Sequence, residues 1–171
     1  MTLARFSPGL LWPRPAPAGS PSVTEIGGVR LAARDQIVDD RGRTVHVLRA
    51  DDAVFERFGE LSFSWVHPGV VEGWHLHRTA TVNYACPVGR VRLALHDARP
   101  SSATRDLTRD IELSPDDHWL VTVPPGVWSG FVGRGAGDSM VCNCATHPLD
   151  PGEVVRRPAD DATIGYPWPA P

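Results

Sequence analysis

The sequence contains no lysine, since all 17 residues counted as lysine or arginine are arginine. A Schiff-base lysine and a lysine proton donor are therefore excluded, and recognition of phosphate or carboxylate falls to arginine, whose planar guanidinium suits both groups. A basic surface is lacking as well, because the formal net charge is -3. This charge balance argues against nucleic acid or an anionic membrane as the main partner.

Long apolar runs are also missing. No run of about 18 apolar residues occurs, so no membrane-spanning helix is predicted, and residues 1–22 lack the features of a secretory signal. The chain has three cysteines. Cys142 and Cys144 would share one strand face, which is poor geometry for a mutual disulfide. We therefore expect reduced thiols in a cytoplasmic protein.

The length of 171 residues fits one domain with a sizeable core. Residues 1–22 are rich in Pro, Gly, Ala and Ser, a composition typical of a flexible arm. We therefore predict a Pro-rich flexible N-terminal arm over residues 1–22, followed by a single domain over residues 23–171.

The sequence of the rest of the chain predicts short strands separated by turns. The expected strands are Val29–Ala33, Thr44–Leu48, Leu61–Val66, Val70–His77, Thr81–Cys86, Val91–His96, Leu107–Leu113, His118–Val123, Val127–Val132 and Ser139–Ala145. Ala53–Phe58 is expected to form one helical turn, Val91–His96 to be half-exposed, and the chain from Thr146 onward to be loop. Many short strands without a long amphipathic helix predict an all-β sandwich or closed barrel.

Two histidines, His75 and His77, stand two residues apart in one of these strands. Residues two apart in a strand point to the same face, so both imidazoles would enter one space if that face lines a barrel interior. An ordinary imidazole titrates near pH 6.5, which suits His75 to act as a base. By the same alternation, Glu72 is expected to point away from His75.

Several short motifs follow one another in a characteristic order. They are Asp39–Gly42, Gly73–His75, Gly89–Leu95, Asp97–Thr104, Ile111–Ser114, Val123–Phe131 and Asp160–Pro169. In this order they resemble the dTDP-4-dehydrorhamnose 3,5-epimerase family, whose members are double-stranded β-helix (cupin jelly-roll) proteins. The resemblance is closest to an epimerase-like branch with Gly-Trp-His-x-His and Pro-Pro-Gly-Val-Trp.

The resemblance implies a reaction mechanism. In the family, a histidine abstracts a proton beside a ketone on a nucleotide-linked sugar, a cationic group stabilises the enolate, and a tyrosine returns a proton from the opposite face. His75 would be the base, and His77 or Arg78 would support the oxyanion. Tyr84 or a water would supply the proton, since Asn143 stands where the family has its acid tyrosine.

The resemblance also implies substrate contacts and an assembly. Arg41 is a candidate phosphate contact, and Trp128 and Ser129 lie in the second motif, where Ser129 replaces a histidine. We expect a nucleotide-sugar substrate from a biosynthetic pathway, no cofactor, and a homodimer, because the family exchanges its N-terminal strand between subunits.

Some family residues are replaced in this chain. Glu72 stands in place of an arginine, and Val82 lies near the position of the active-site lysine. The aspartate that partners the catalytic histidine lies, in the family, beyond the Trp-Pro motif, and the sequence stops at Pro171. A one-centre epimerisation or a tautomerisation would need fewer groups than a double epimerisation.

Two other classes remain open. A metal-dependent cupin would use His75 and His77 as ligands, completed by Cys142, Cys144 or His147. The third class is a catalytically inert module that keeps the barrel and binds a ligand.

Overall fold

The structure is a computed structural model that describes residues 25–168. The arm expected over residues 1–22 and the end of the last family motif, Pro169, lie outside the described residues. No helix within residues 25–168 is long and apolar enough to cross a membrane.

The described chain contains twelve strands and no α-helix. The strands are β1 Arg30–Ala33, β2 Gln36–Asp39, β3 Gly42–Val45, β4 Glu60–Val66, β5 Val71–His77, β6 Val82–Val88, β7 Val91–Asp97, β8 Thr108–Leu113, β9 Trp119–Val123, β10 Val127–Gly133, β11 Ser139–Ala145 and β12 Val154–Arg156.

Ten of these strands form two five-stranded antiparallel sheets. The first sheet has the order β1-β9-β6-β11-β4, and the second has the order β12-β5-β10-β7-β8, while β2 and β3 form a separate hairpin. From β4 onward most consecutive strands alternate between the sheets, which is the connectivity of a jelly roll. The predicted all-β jelly-roll class is confirmed.

The main core lies between the two sheets, where inward-facing residues of both meet. It is built from short aliphatic side chains such as Leu93 and Leu95 of β7 and Val121 of β9, all of them buried. Alternating apolar residues in the sequence therefore pack into one shared interior, as the strand period requires.

A second cluster covers the outer face of the second sheet. Trp74 of β5, Ala94 of β7 and Trp128 of β10 are buried there under the C-terminal segment. The Trp168 ring lies 5.1 Å from that of Trp74, and its Nε1 donates to the Ala159 carbonyl at 2.9 Å. This segment supports β5 and β10 from outside the barrel.

Three local expectations differ from the structure. Ala53–Phe58 forms no helical turn, because the Asp52 carboxylate accepts the Arg49 N–H and pairs with Arg34, and these contacts outweigh local helical preference. The region after Thr146 contains β12, which pairs with β5.

The third difference concerns β7, which was expected to be half-exposed. His96 is buried, and its Nδ1 bonds the Thr108 hydroxyl at 2.8 Å. The strand lies between β10 and β8, and the C-terminal segment covers its outer face at Ala94. Burial by this segment is a tertiary effect that the alternation of Val91–His96 does not reveal.

Candidate active site

A β-bulge in β5 determines which side chains enter the barrel. Ser129 of β10 lies opposite His75, but Phe131 lies opposite Glu72, so two residues of β5 between these pairs oppose a single residue of β10. The extra residue reverses the alternation, as bulges do. Glu72 therefore lies on the same face as His75 and His77, and the expectation that it points away is wrong.

Gly73 lies in this bulge, at a close approach of the C-terminal segment. A Cβ at this position would lie 2.8 Å from the Cα of Ala159 in the C-terminal segment, closer than real Cβ atoms approach a backbone. The absence of a side chain therefore lets the C-terminal segment pack against the bulge.

A cavity of about 280 Å³ opens between the two sheets. Glu72, His75 and His77 line it from β5 of the second sheet. The polar side chains from the first sheet that line it are Glu60, Ser62, Ser64, Tyr84 and Asn143. The volume is near the lower end of those of small-ligand sites, and hydroxyl, amide and imidazole groups face one another across it.

The first sheet contributes polar groups here because β4 turns its polar residues toward the interior and its apolar residues toward the outside, the reverse of the usual arrangement. Ser62 and Ser64 face the cavity, whereas Leu61, Phe63 and Trp65 are exposed on the outer face. The serine positions thus supply hydrogen-bonding groups to the interior.

The His75 ring is half-buried in the cavity and makes no hydrogen bond within residues 25–168. Burial lowers its pKa, and the charges of Arg156 and His77 lower it further. Burial also raises the pKa of Glu72, while Arg156 opposes that shift. His75 is therefore a neutral imidazole at pH 7 with nitrogens available to a ligand.

His77 has a fixed partner. Its Nδ1 lies 2.9 Å from Oε2 of Glu153, a residue just before β12. Burial acts to raise the Glu153 pKa, but hydrogen bonds from Thr79 and Ala80 backbone N–H groups and the His77 ring outweigh burial and lower it to about 2. Glu153 is therefore an anion at neutral pH.

Tyr84 of β6 is buried and lines the cavity. Its hydroxyl lies 2.9 Å from the Ser129 hydroxyl, a bond that joins the first sheet to the second across the barrel. Burial raises the Tyr84 pKa to about 12, with the Ser129 hydrogen bond opposing and the charge of Glu72 adding to the rise. Tyr84 therefore keeps its proton at neutral pH.

The structure brings together four of the sequence-predicted site residues and leaves four outside the cavity lining. His75, His77, Tyr84 and Asn143 line the cavity. The residues outside the lining are Arg41, Arg78, Trp128 and Ser129.

Each of the four residues outside has a physical reason for its place. Arg41 pairs with Asp39 in the exposed β2–β3 hairpin, and Arg78 is exposed just after β5. Trp128 faces the outer cluster, with the Arg157 guanidinium 4.9 Å from its ring centroid. Ser129 is buried behind Tyr84.

Sequence reasoning missed Glu153 and Arg156, which line the cavity from the β12 region. Arg156 pairs in register with His75. A three-residue strand has too few positions to show an alternation, so the sequence offered only the pair of valines between these two charged residues as a weak signal.

Within residues 25–168, no group of three or more His, Cys, Asp or Glu side chains could hold a metal ion. Cys142 and Cys144, considered as further ligands beside His75 and His77, line a groove on the opposite side of β11 from Asn143. All three cysteines are free thiols.

Comparison with known proteins identifies the family. The family model for dTDP-4-dehydrorhamnose 3,5-epimerase matches residues 23–171. The spore coat polysaccharide biosynthesis protein SpsL of Bacillus subtilis is 30% identical over 145 residues, which cover 84% of this chain and 96% of that protein. A Haloferax volcanii protein named probable low-salt glycan biosynthesis epimerase Agl13 is 33% identical over 137 residues, covering 77% and 87%.

A solved structure extends this likeness to three dimensions. The dTDP sugar isomerase from Desulfovibrio desulfuricans G20 superposes with a TM-score of 0.81 at 36% identity, covering 84% of this chain and 92% of that one. The residues matched by the family model, 23–171, include all twelve strands and all the residues that line the cavity. The chain belongs to the dTDP-4-dehydrorhamnose 3,5-epimerase family.

Proposed function

We propose that this protein is an epimerase that removes a proton beside the carbonyl of a nucleotide-linked 4-keto sugar, with His75 as the base. The observation that carries the proposal is the unpartnered, half-buried His75 ring in a polar cavity. Its lowered pKa keeps the imidazole neutral, and a base must be unprotonated to accept the proton from carbon.

The enolate needs a hydrogen-bonding or positive group at its oxygen. His77 lies on the same face of β5 and lines the same cavity, whereas Arg78 does not line it. His77 therefore takes the role that the sequence left open between these two residues.

Tyr84 is the proposed proton donor. As the C–H bond breaks, His75 gains an N–H, and Tyr84 then delivers its hydroxyl proton to the opposite face of the same carbon. Solvent reprotonates the phenolate and takes the proton from His75, so the enzyme returns to its starting state. A phenol whose pKa is about 12 holds the proton until the carbanion is there to take it.

The sugar fits the polar walls of the cavity. Ser62, Ser64 and Asn143 offer hydrogen bonds to ring hydroxyls, and the exposed Arg156 at the rim offers a guanidinium to a phosphate. The relatives SpsL and Agl13 are named for polysaccharide and glycan biosynthesis. These features support a nucleotide sugar from a biosynthetic pathway as the substrate.

A homodimer and a cytoplasmic location complete the proposal. The outer face of β4 exposes Leu61, Phe63 and Trp65 in one row, a patch that a second copy would cover. The three free thiols fit a reducing compartment.

The experiment is turnover of a panel of dTDP-4-keto-6-deoxysugars, followed by proton NMR of the products. Inversion at one or two carbons beside the ketone is the expected result. Movement of the carbonyl along the ring would instead identify a tautomerase, and unchanged sugars across the panel would refute the proposal.

A further inference from the structure

The contact between His77 and Glu153 lies at the cavity and is well enclosed. Their side chains are only 16% and 12% exposed, and Nδ1 lies 2.9 Å from Oε2. An interaction shielded from water in this way is stronger than a surface pair.

Glu153 is itself held rigidly. Its Oε1 accepts hydrogen bonds from the backbone N–H groups of Thr79 at 2.8 Å and Ala80 at 2.9 Å, in the turn after β5. The other carboxylate oxygen, Oε2, is hydrogen-bonded to His77. The carboxylate is therefore fixed in both position and direction.

This arrangement fixes the hydrogen on His77. An ionised carboxylate can only accept hydrogen bonds, so Nδ1 must carry the hydrogen. The second ring nitrogen, Nε2, remains for the cavity that His77 lines.

We infer that Glu153 is a positioning residue that fixes the His77 ring through its Nδ1–H, so that Nε2 faces the oxygen of the substrate at which the enolate charge develops. This inference rests on the proposed function and assigns the oxyanion role to a Glu153–His77 pair. The two imidazoles of β5 then have different roles, because the His75 ring has no hydrogen-bond partner within residues 25–168 while the His77 ring is held by Glu153.

The other charged or titratable groups around the cavity do not replace Glu153. They are Glu60 from β4, Glu72 and His75 from β5, Tyr84 from β6, His147 after β11 and Arg156 from β12. Glu60 accepts the Leu149 N–H at 2.8 Å. Among the described residues, Glu153 is the carboxylate that is hydrogen-bonded to His77.

The test is Glu153→Gln in the full-length protein. The amide oxygen can still accept from Thr79 and Ala80, but its NH₂ group faces Nδ1, which reverses the tautomer and removes the negative charge. We expect kcat to fall by about 10²-fold with little change in KM, as when one oxyanion donor is lost.

A readout independent of substrate accompanies the kinetics. The ¹⁵N NMR shifts of His77 should report Nδ1–H in the native protein and a loss of that hydrogen in Glu153→Gln. Glu112→Gln is the matched control, since Glu112 pairs with Arg90 on the outer surface and should leave both readouts unchanged.

His77→Gln tests the same role from the other partner. The amide of the new side chain can still donate a hydrogen bond to Glu153. We expect the same loss of kcat, and no added loss when Glu153→Gln is combined with it. Unchanged kcat and tautomer in Glu153→Gln would overturn the inference. Absence of turnover in the native protein would refute the proposed function instead, while the NMR result would still decide whether Glu153 fixes His77.

Discussion

At the scale of the residue, burial in one cavity shifts the pKa values of two side chains in opposite directions. Burial disfavours the charged form of each group, so it lowers the pKa of His75 and raises that of Glu72. The i, i+2 spacing of His75 and His77 predicted a shared face, and both residues line the cavity. The shift of Glu72 could not be predicted, because its burial depends on the bulge.

The lowered His75 pKa predicts an acid limb at unusually low pH. A base works when unprotonated, so kcat/KM should hold constant down to below about pH 6.5, the ordinary imidazole range, and then fall. In a proton NMR titration, His75 should titrate below that range, and its resonance is assigned by its loss in His75→Asn.

His67 is the internal control for this titration. Its ring is exposed, and the hydrogen bond to Asp138 raises its pKa. His67 should therefore titrate at higher pH than His75. The reverse order, or an acid limb above pH 6.5, would contradict the assignment of His75 as the base.

At the scale of the element, the strands were predictable and their irregularities were not. Alternation in Leu61–Val66 predicted β4 to within a residue, and the strand expected over Ser139–Ala145 coincides with β11. Gly73 in the bulge is packed against Ala159, 86 positions later, and β12 is a strand because it pairs with β5. Both are tertiary effects without a local pattern.

The bulge yields a stability prediction. Gly73→Ala would place a Cβ 2.8 Å from the Ala159 Cα, so either β5 or the C-terminal segment must shift. We expect the free energy of unfolding to fall by about 1–3 kcal/mol, the usual cost of overpacking, and kcat to fall because His75 moves with β5. Urea denaturation and the turnover assay measure both effects.

Gly137→Ala is the matched control, since a Cβ there would meet nothing within 4 Å. Its stability should stay within about 0.5 kcal/mol of the native protein, as for most surface changes. Equal stability of the two variants would show that the contact between Gly73 and Ala159 is not tight.

At the scale of the whole molecule, the exposed row on β4 predicts self-association. Phe63 is 54% exposed and Trp65 is 61% exposed on the outer face of the first sheet. If a second copy covers this row, Trp65→Glu would bury an unpaired charge and convert a dimer to a monomer. Analytical ultracentrifugation at micromolar concentration measures the change.

Val70→Glu provides the comparison, because Val70 is also an exposed apolar residue but precedes β5 of the other sheet. This variant should keep the native sedimentation coefficient. A native protein that sediments as a monomer, or a Trp65→Glu variant that stays dimeric, would rule out this face as the interface.

The sequence predicted the whole-molecule class more securely than the site. Short motifs in the family's order indicated the jelly roll through their resemblance to that family, since together they mark turns and strands of one connected topology. The site is harder to predict because Glu153 reaches His77 across 76 positions. A contact of this kind follows from the folded chain and not from any local spacing.

The most direct test is solvent deuterium uptake into a dTDP-4-keto-6-deoxysugar, followed by proton NMR in D₂O. The native protein should exchange hydrogen at one or both carbons beside the ketone. His75→Asn should slow that exchange by about 10²-fold or more, the usual contribution of a general base, with circular dichroism unchanged. Exchange at the native rate in His75→Asn, or none with the native protein on any keto sugar tested, would contradict the role of His75.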